Sequence, residues 1–490
     1  MNSKQSSVLL VLSLCGASVC SVTAAFADQV SPKGSQFKGP VVSIPALKKP
    51  VPQKRFIVVQ KPKKPAVTVT GSLGFNAILG SQDNKFMNTV QTSTDAAGAP
   101  KTTVTSEKNR EDSNMFGLYG AHIEFQVKNA LRSPLFNTWS ANIVLSADRD
   151  KYASAAGKAV KRAYLTFRGA GGLALYLGNY QGVEGLVSYS GNNLAGVDGG
   201  IEANWNSILS PAFGTYTVVN QVGSTAEATK ITLLSPRFGG VRLGASYTPS
   251  SNQYGSMSQN TSRNLLSSTT PGTSENLAMT MDYLTYIGQD LKLKLSGTWI
   301  TANARTEAPG AEFVADSMAR NKVNSWALGG VLEYKNLSFA AEYQNGGKSL
   351  QFSNDRTLDG EKITLPDGKT ADTVDDFPLA YTASKAKAPQ QFNVGVRWVQ
   401  APYKFSAIYM QSWRKTGFGD ASAKAKILNL SVTRNIAPGL DVYLSGFDIK
   451  TTNPAANSEA ILQSQNGNLK VPAVTDNKGK ILIAGVKTNF

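Results

Sequence analysis

Cysteine and histidine are nearly absent from this chain of 490 residues, which holds two Cys and one His. Both thiols, Cys15 and Cys20, lie in "MNSKQSSVLLVLSLCGASVCSVTAAFADQV", where Lys4 precedes an apolar run from Val8 to about Val22 and a small-x-small site at Ala25-Phe26-Ala27. That pattern predicts a secretory signal peptide over residues 1–27, cleaved after Ala27. The mature chain then has no thiol, no disulfide and no Cys-based metal centre. Lipidation at either cysteine is disfavoured, because Leu14 and Val19 stand where a small residue is needed. With His122 as the one imidazole, no Cys/His metal cluster can form, and no cofactor is expected. Beyond the leader there is no apolar run near the roughly 18 residues of a membrane-spanning helix. Helical periodicities are also scarce, which together with 44 Gly favours an all-β body.

Acid is in short supply as well, and the formal charge is +17. Residues 28–65 hold nine Lys/Arg against one acid and the leader one Lys, so eight of those charges belong to this segment and eight to residues 66–490. The segment "SPKGSQFKGPVVSIPALKKPVPQKRFIVVQKPKKP" is punctuated by Pro and Lys and reads as an extended, basic arm. Drawn out in polyproline geometry it would reach on the order of 110 Å.

From Ala66 the pattern becomes alternation, the period-2 mark of strands with one apolar face. In "AVTVTGSLGFNAIL", Val67, Val69, Leu73, Phe75 and Ala77 share a face opposed by Thr68, Thr70, Ser72 and Asn76. In "MFGLYGAHIEFQVK", Met115, Tyr119, Ile123, Phe125 and Val127 are opposed by His122, Glu124, Gln126 and Lys128. Connections alternate between short turns, such as "GAGG", "SPRFGG", "GQD", "KN", "QAP" and "NIAPG", and long polar stretches. The long ones fall near 80–114, 148–159, 181–229, 248–274, 302–323, 346–389, 415–424 and 451–479, giving about sixteen strands with every long loop on one side.

A soluble sandwich has no reason to keep one end short-turned, whereas a transmembrane antiparallel β-barrel does, with short periplasmic turns and long extracellular loops. Its apolar face looks to lipid and its wet face to a lumen, and closure pairs every amide that hydrocarbon cannot solvate. Aromatics support this: Trp326 and Tyr334, Phe339 and Tyr343, Phe392 and Trp398, and Tyr403 and Trp413 stand near the two ends of their strands, as interfacial girdles require. In the last strand, "KILIAGVKTNF", Leu482, Ala484, Val486, Thr488 and Phe490 share the lipid face. An aromatic closing an alternating strand resembles the signal by which outer-membrane barrels are handed to their assembly machinery.

With "RAYLTFRGAGGLALYLGNY" and "KITLLSPRFGGVRLGASYTP" in order, residues 66–490 resemble the general porins of Gram-negative bacteria, specifically the sixteen-stranded members. The resemblance implies a water-filled channel for passive diffusion across the outer membrane, usually a homotrimer. It also implies a third loop, about 181–229 here, folded inward to set acidic residues against a basic ladder. Glu184, Asp198 and Glu202 would supply the acids. Arg162, Arg242, Arg397, Lys292 and Lys294 would supply the bases, with Arg168 nearer the exit. His122 and Glu124 depart from the pattern, standing where the second strand would add to the ladder. These bases against Glu124, Glu333 and Glu342 on the strands predict a weak anion preference, unless loop carboxylates dominate the narrowest point.

Other readings stay open. A non-conducting barrel, serving as an anchor or surface-binding protein, would share everything but the open lumen. A hydrolase centred on His122 would need a nucleophile motif such as Gly-x-Ser-x-Gly, which is absent. "GAGGLA" matches a dinucleotide fingerprint, but alternation rather than a helix follows it. "SADRD" and "DTVDD" offer oxygens to a hard cation, although such runs are more often solvated loop tips. Both ends of an even-stranded barrel lie in the periplasm, so the arm is expected to meet peptidoglycan or anionic lipid headgroups, or to be a plain linker, and not to meet nucleic acid.

Overall fold

The computed structural model describes residues 65–82, 86–94, 100–108, 114–131, 133–146, 160–196, 200, 221–225, 227–251, 273–304, 320–351, 362–364, 370–372, 382–417, 422–452, 469–472 and 476–490. The predicted leader, nearly all of the arm, Asp198 and Glu202, and both acidic runs beyond Ser146 and Asp372 lie outside them.

Sixteen strands follow one another around a closed barrel: β1 (Ala66–Gln82), β2 (Asn114–Ala130), β3 (Thr138–Ser146), β4 (Val160–Arg168), β5 (Ala174–Asn179), β6 (Thr229–Leu234), β7 (Val241–Ser250), β8 (Thr273–Ile287), β9 (Leu291–Ala304), β10 (Val323–Tyr334), β11 (Leu337–Asn345), β12 (Lys387–Gln400), β13 (Tyr403–Lys415), β14 (Ser422–Ala437), β15 (Leu440–Thr452) and β16 (Asp476–Asn489). Neighbours pair antiparallel throughout, and β1 meets β16 from Ser72↔Asn489 to Gln82↔Gly479, so no edge is left for the bilayer to solvate.

Burial follows the alternation in the sequence. On β14, Leu428 and Leu430 are 40% and 54% exposed, while Ile427 and Asn429 between and before them are fully buried. The exposed leucines face lipid and the buried residues face the lumen. The aromatics gather at two heights: Trp326, Tyr343, Trp413 and Phe392 touch one another toward the long-loop end, and Trp398, Phe405 and Tyr403 stack toward the other.

One face expectation fails on β2. The ladder with β1 passes from Ser72↔His122 to Gly74↔Tyr119, so β2 carries an extra residue and changes phase. Phe116, on the opposite phase from the face read from sequence, takes the lipid side, 74% exposed and stacked on Phe75 at 6.1 Å. Short turns lie at the other end, and the "GAGG" glycines make one of them, with Gly171 at φ 64° just before β5. The long connections are not all loop. Phe86–Thr94, Pro100–Lys108, Lys362–Thr364, Thr370–Asp372 and Leu469–Pro472, from the first, sixth and eighth of them, form a second, five-stranded sheet.

Candidate pore and constriction loop

The third long connection follows β5, and its described first leg, Tyr180–Leu194, runs along the inner wall of the barrel. It opens in a single helical turn, α1 (Val183–Leu186). The Val183 amide donates to Ser246 Oγ of β7 at 3.3 Å, and the Tyr189 amide to Ser296 Oγ of β9 at 3.1 Å. Ser188 Oγ donates to the Glu342 carboxylate of β11 at 2.8 Å, and the Gly191 amide donates to Asn393 Oδ1 of β12. Leu194 then packs on Val331 and Ala340. All these wall residues share the side opposite the exposed apolar ones, so the loop lies inside the lumen. On the returning leg, Gln221 reaches Ser325 of β10 at 3.2 Å and Thr225 pairs with Thr248 of β7 at 3.1 Å.

Wall glycines make room for it. A Cβ on Gly329 would stand 1.8 Å from the Tyr189 carbonyl oxygen, and one on Gly395 2.7 Å from that of Gly191. Both are backbone contacts that no rotamer change relieves. The loop therefore sits flush against the wall, which any larger residue would prevent.

Charge beside the loop is arranged in triplets, one carboxylate between two cations. Asp282 of β8, with a fully buried side chain, accepts from Arg242 Nε at 2.8 Å and from the Arg237 guanidinium. Glu333 of β10 meets Lys294 at 2.7 Å and Lys292 at 3.4 Å. Glu227 meets Arg162 at 2.7 Å and Lys161 at 3.9 Å. Loop tyrosines bridge the triplets. The Tyr189 hydroxyl donates to Asp282 at 3.4 Å while its ring lies 6.0 Å from the Lys294 ammonium. Burial, reinforced by the Asp282 charge, pushes that hydroxyl above its ordinary range, so it remains a neutral donor. Tyr180 stacks against Tyr164 and Tyr176 at 4.2 and 4.7 Å and carries the Arg162 guanidinium 5.8 Å from its ring.

A closed barrel with a loop laid inside it and cations lining the wall is the architecture of a channel, and the Gram-negative porin family profile matches residues 56–454. The chain belongs to the Gram-negative porin family. The porin is accordingly an outer-membrane channel. Among solved structures, the chain is similar to the trimer form of OmpT, an outer membrane protein of Vibrio cholerae, at 10% identity and TM-score 0.46 over 87% of this chain and 100% of that one. It is also similar to Salmonella typhi OmpF in complex with daunomycin, at 14% identity and TM-score 0.46 over 86% and 97%. A third is the outer membrane channel DcaP of Acinetobacter baumannii, at 9% identity and TM-score 0.44 over 87% and 97%. No curated protein matches the sequence.

In the porin, Arg162, Arg242, Lys292 and Lys294 come together along the inner wall as members of the triplets. Arg397 faces the lumen from β12 near the short-turn end, its Nε buried and without a hydrogen-bond partner among the described residues. Arg168 lies at the short-turn end of β4, exposed. Glu184, read from sequence as pore-facing, is buried in α1 and ties the loop's two legs together, accepting from Ser224 Oγ at 3.2 Å and the Thr225 amide at 3.4 Å. His122 shares a 2.9 Å hydrogen bond with Ser72 across the β1–β2 ladder, while Glu124 accepts from the Tyr164 hydroxyl at 3.2 Å. Phe490 exchanges backbone hydrogen bonds with Gly71, at 2.9 and 3.0 Å, and its ring fills the space above that glycine.

Sequence reasoning misses four members of the triplets, Asp282, Arg237, Glu227 and Lys161. Asp282 was legible, since it shares the wet face of "NLAMTMDYL" with Ala278 and Thr280. Arg237 sits in a short turn and Glu227 at the end of a long loop, where alternation has no bearing.

Proposed function

We propose that the porin is a passive diffusion channel for small hydrophilic solutes, with a weak preference for anions, and that it works as a homotrimer. The observation that carries the preference is the triplet arrangement. Asp282, Glu333 and Glu227 are each set between two cations, so each triplet leaves one positive charge on the wall beside the loop. A ring of surplus charge at low effective dielectric draws counter-ions into the pore and repels co-ions. Glu184 being turned into the loop removes one of the carboxylates that would oppose this. The C-terminal strand serves as the handle for barrel assembly, and the basic arm reaches peptidoglycan or inner-leaflet headgroups.

A second reading, a barrel with a filled lumen, draws on one feature. The inner wall across β13 to β16 carries an apolar patch, with Ile408, Ile427 and Ile449 fully buried and Met410 and Ile483 at 1%. A hydrolase reading gains the Ser72–His122 contact, but the candidate orienting carboxylate of Glu124 is engaged by Tyr164. Single-channel recording of the detergent-folded full chain in a planar bilayer separates the two barrel readings. Discrete ohmic steps, closing in threes at high voltage, are the expected record. Insertion without conductance would sink the diffusion reading in favour of the filled one.

A further inference from the structure

Glu342 of β11 faces the lumen side of the wall and is only 6% exposed. None of the ion pairs among the described residues includes it. Its carboxylate accepts instead from three neutral donors. Ser188 Oγ of the loop reaches one oxygen at 2.8 Å, while Asn393 Nδ2 of β12 at 2.9 Å and Gln344 Nε2 at 3.0 Å reach the other. Asp282, Glu333 and Glu227 are each set between two cations, and Glu342 has neutral company alone among the described residues.

The wall around it is built of oxygen-bearing side chains. In the ladder Glu342 stands opposite Asn393, and Gln344 opposite Gln391, a two-by-two block on one face with the Cβ atoms of each pair about 5 Å apart. Gln344, Asn393 and Gln391 are 5%, 3% and 2% exposed. Two carbonyl oxygens of this block, Gln344 Oε1 and Gln391 Oε1, are buried and accept no hydrogen bond. Buried polar atoms are nearly always partnered, so two orphaned acceptors beside a buried carboxylate call for a positive partner. The loop covers the block through Ser188 and through the Gly191 amide, which donates to Asn393 Oδ1.

The donor set decides what that partner is. Carboxylate, carboxamide and hydroxyl oxygens are hard donors and suit a hard cation. One negative charge balances one positive charge, whereas a divalent ion would leave net charge in a buried site. We infer that Glu342, Gln344 and Gln391 bind an alkali-metal cation between β11 and β12, beneath the constriction loop. The ion gives the two orphaned oxygens and the carboxylate a common partner. Because Glu342 also holds Ser188, the ion fastens the loop to the wall.

The test is the thermal unfolding midpoint of the full chain, refolded in uncharged detergent at neutral pH, as choline chloride is exchanged for sodium, potassium or calcium chloride at constant ionic strength. Constant ionic strength holds the screening of the remaining charges fixed. Sodium or potassium should raise the midpoint along a saturating curve, as binding to the folded state alone requires. Glu342→Gln, which keeps an acceptor for Ser188 and removes the charge, should abolish that response. Gln391→Met, which removes one orphaned oxygen at nearly constant volume, should raise the half-saturating concentration about tenfold, and it carries the test if Glu342→Gln does not refold. Equal midpoints in every salt would overturn the assignment and give Glu342 a proton in place of the ion. A response to calcium without one to sodium or potassium would overturn it too, as would an alkali-metal response undiminished in Glu342→Gln or a half-saturating concentration unmoved in Gln391→Met.

Discussion

Asp282 is the residue on which the wall charge turns most sharply. Its carboxylate has no exposure, and two guanidiniums and a tyrosine hydroxyl converge on it from a turn, a strand and the loop. Breaking a buried ion cluster by removing one member leaves the remaining charges unpaired and typically costs 3–5 kcal/mol. Asp282→Asn should therefore destabilise the barrel by about 3 kcal/mol, measured as a shift in the urea midpoint for unfolding from lipid vesicles. The same variant should raise the anion-to-cation permeability ratio, because Arg237 and Arg242 lose their shared counter-charge. An unchanged ratio with lowered stability would mean that Asp282 is structural only. This residue also shows the limit of reading faces: alternation marks Asp282 as lumen-facing, but its partner Arg237 stands in a turn, where no period applies.

At the scale of elements, the third loop and the wall beneath it are fitted to each other. The amides of Val183, Tyr189 and Gly191 are taken by side chains of β7, β9 and β12, and Glu342 holds Ser188 while Asn393 at 2.9 Å and Gln344 at 3.0 Å hold Glu342. Wall glycines are what let the backbone approach so closely. Gly329→Ala should force the Tyr189 segment off the wall, lower single-channel conductance, and cost about 1–3 kcal/mol as an overpacked contact. Gly446→Ala, in open space on the lipid face, serves as the control and should change neither. Conductance in Gly329→Ala equal to the parent would mean that this segment does not set the pore's width. None of this seating is visible in sequence. Its glycines occur within ordinary strand alternation, and the hydrogen bonds from loop to wall join residues 63 to 202 positions apart.

For the molecule as a whole, strand number, loop sidedness and lipid face were legible because a barrel in a bilayer leaves little freedom. Each strand must be apolar on alternate residues, and one end must turn tightly. The phase change on β2 escaped because a bulge is one extra residue in an otherwise regular run, and Phe116 and Met115 are both plausible lipid-facing side chains. The five-stranded sheet escaped because its strands come from separate long connections, whose polar composition reads as loop. Wall charges were legible one by one on the strands, yet their grouping around Asp282, Glu333 and Glu227 depends on the closed geometry. That grouping underlies the central claim, a conducting pore whose wall carries a net positive field. The measurement that tests it most directly is the reversal potential of the reconstituted full chain across a planar bilayer under a potassium chloride gradient. A net positive wall gives a potential displaced from zero toward the chloride equilibrium value, shrinking as salt is raised and the field is screened. Displacement toward the potassium value would contradict it.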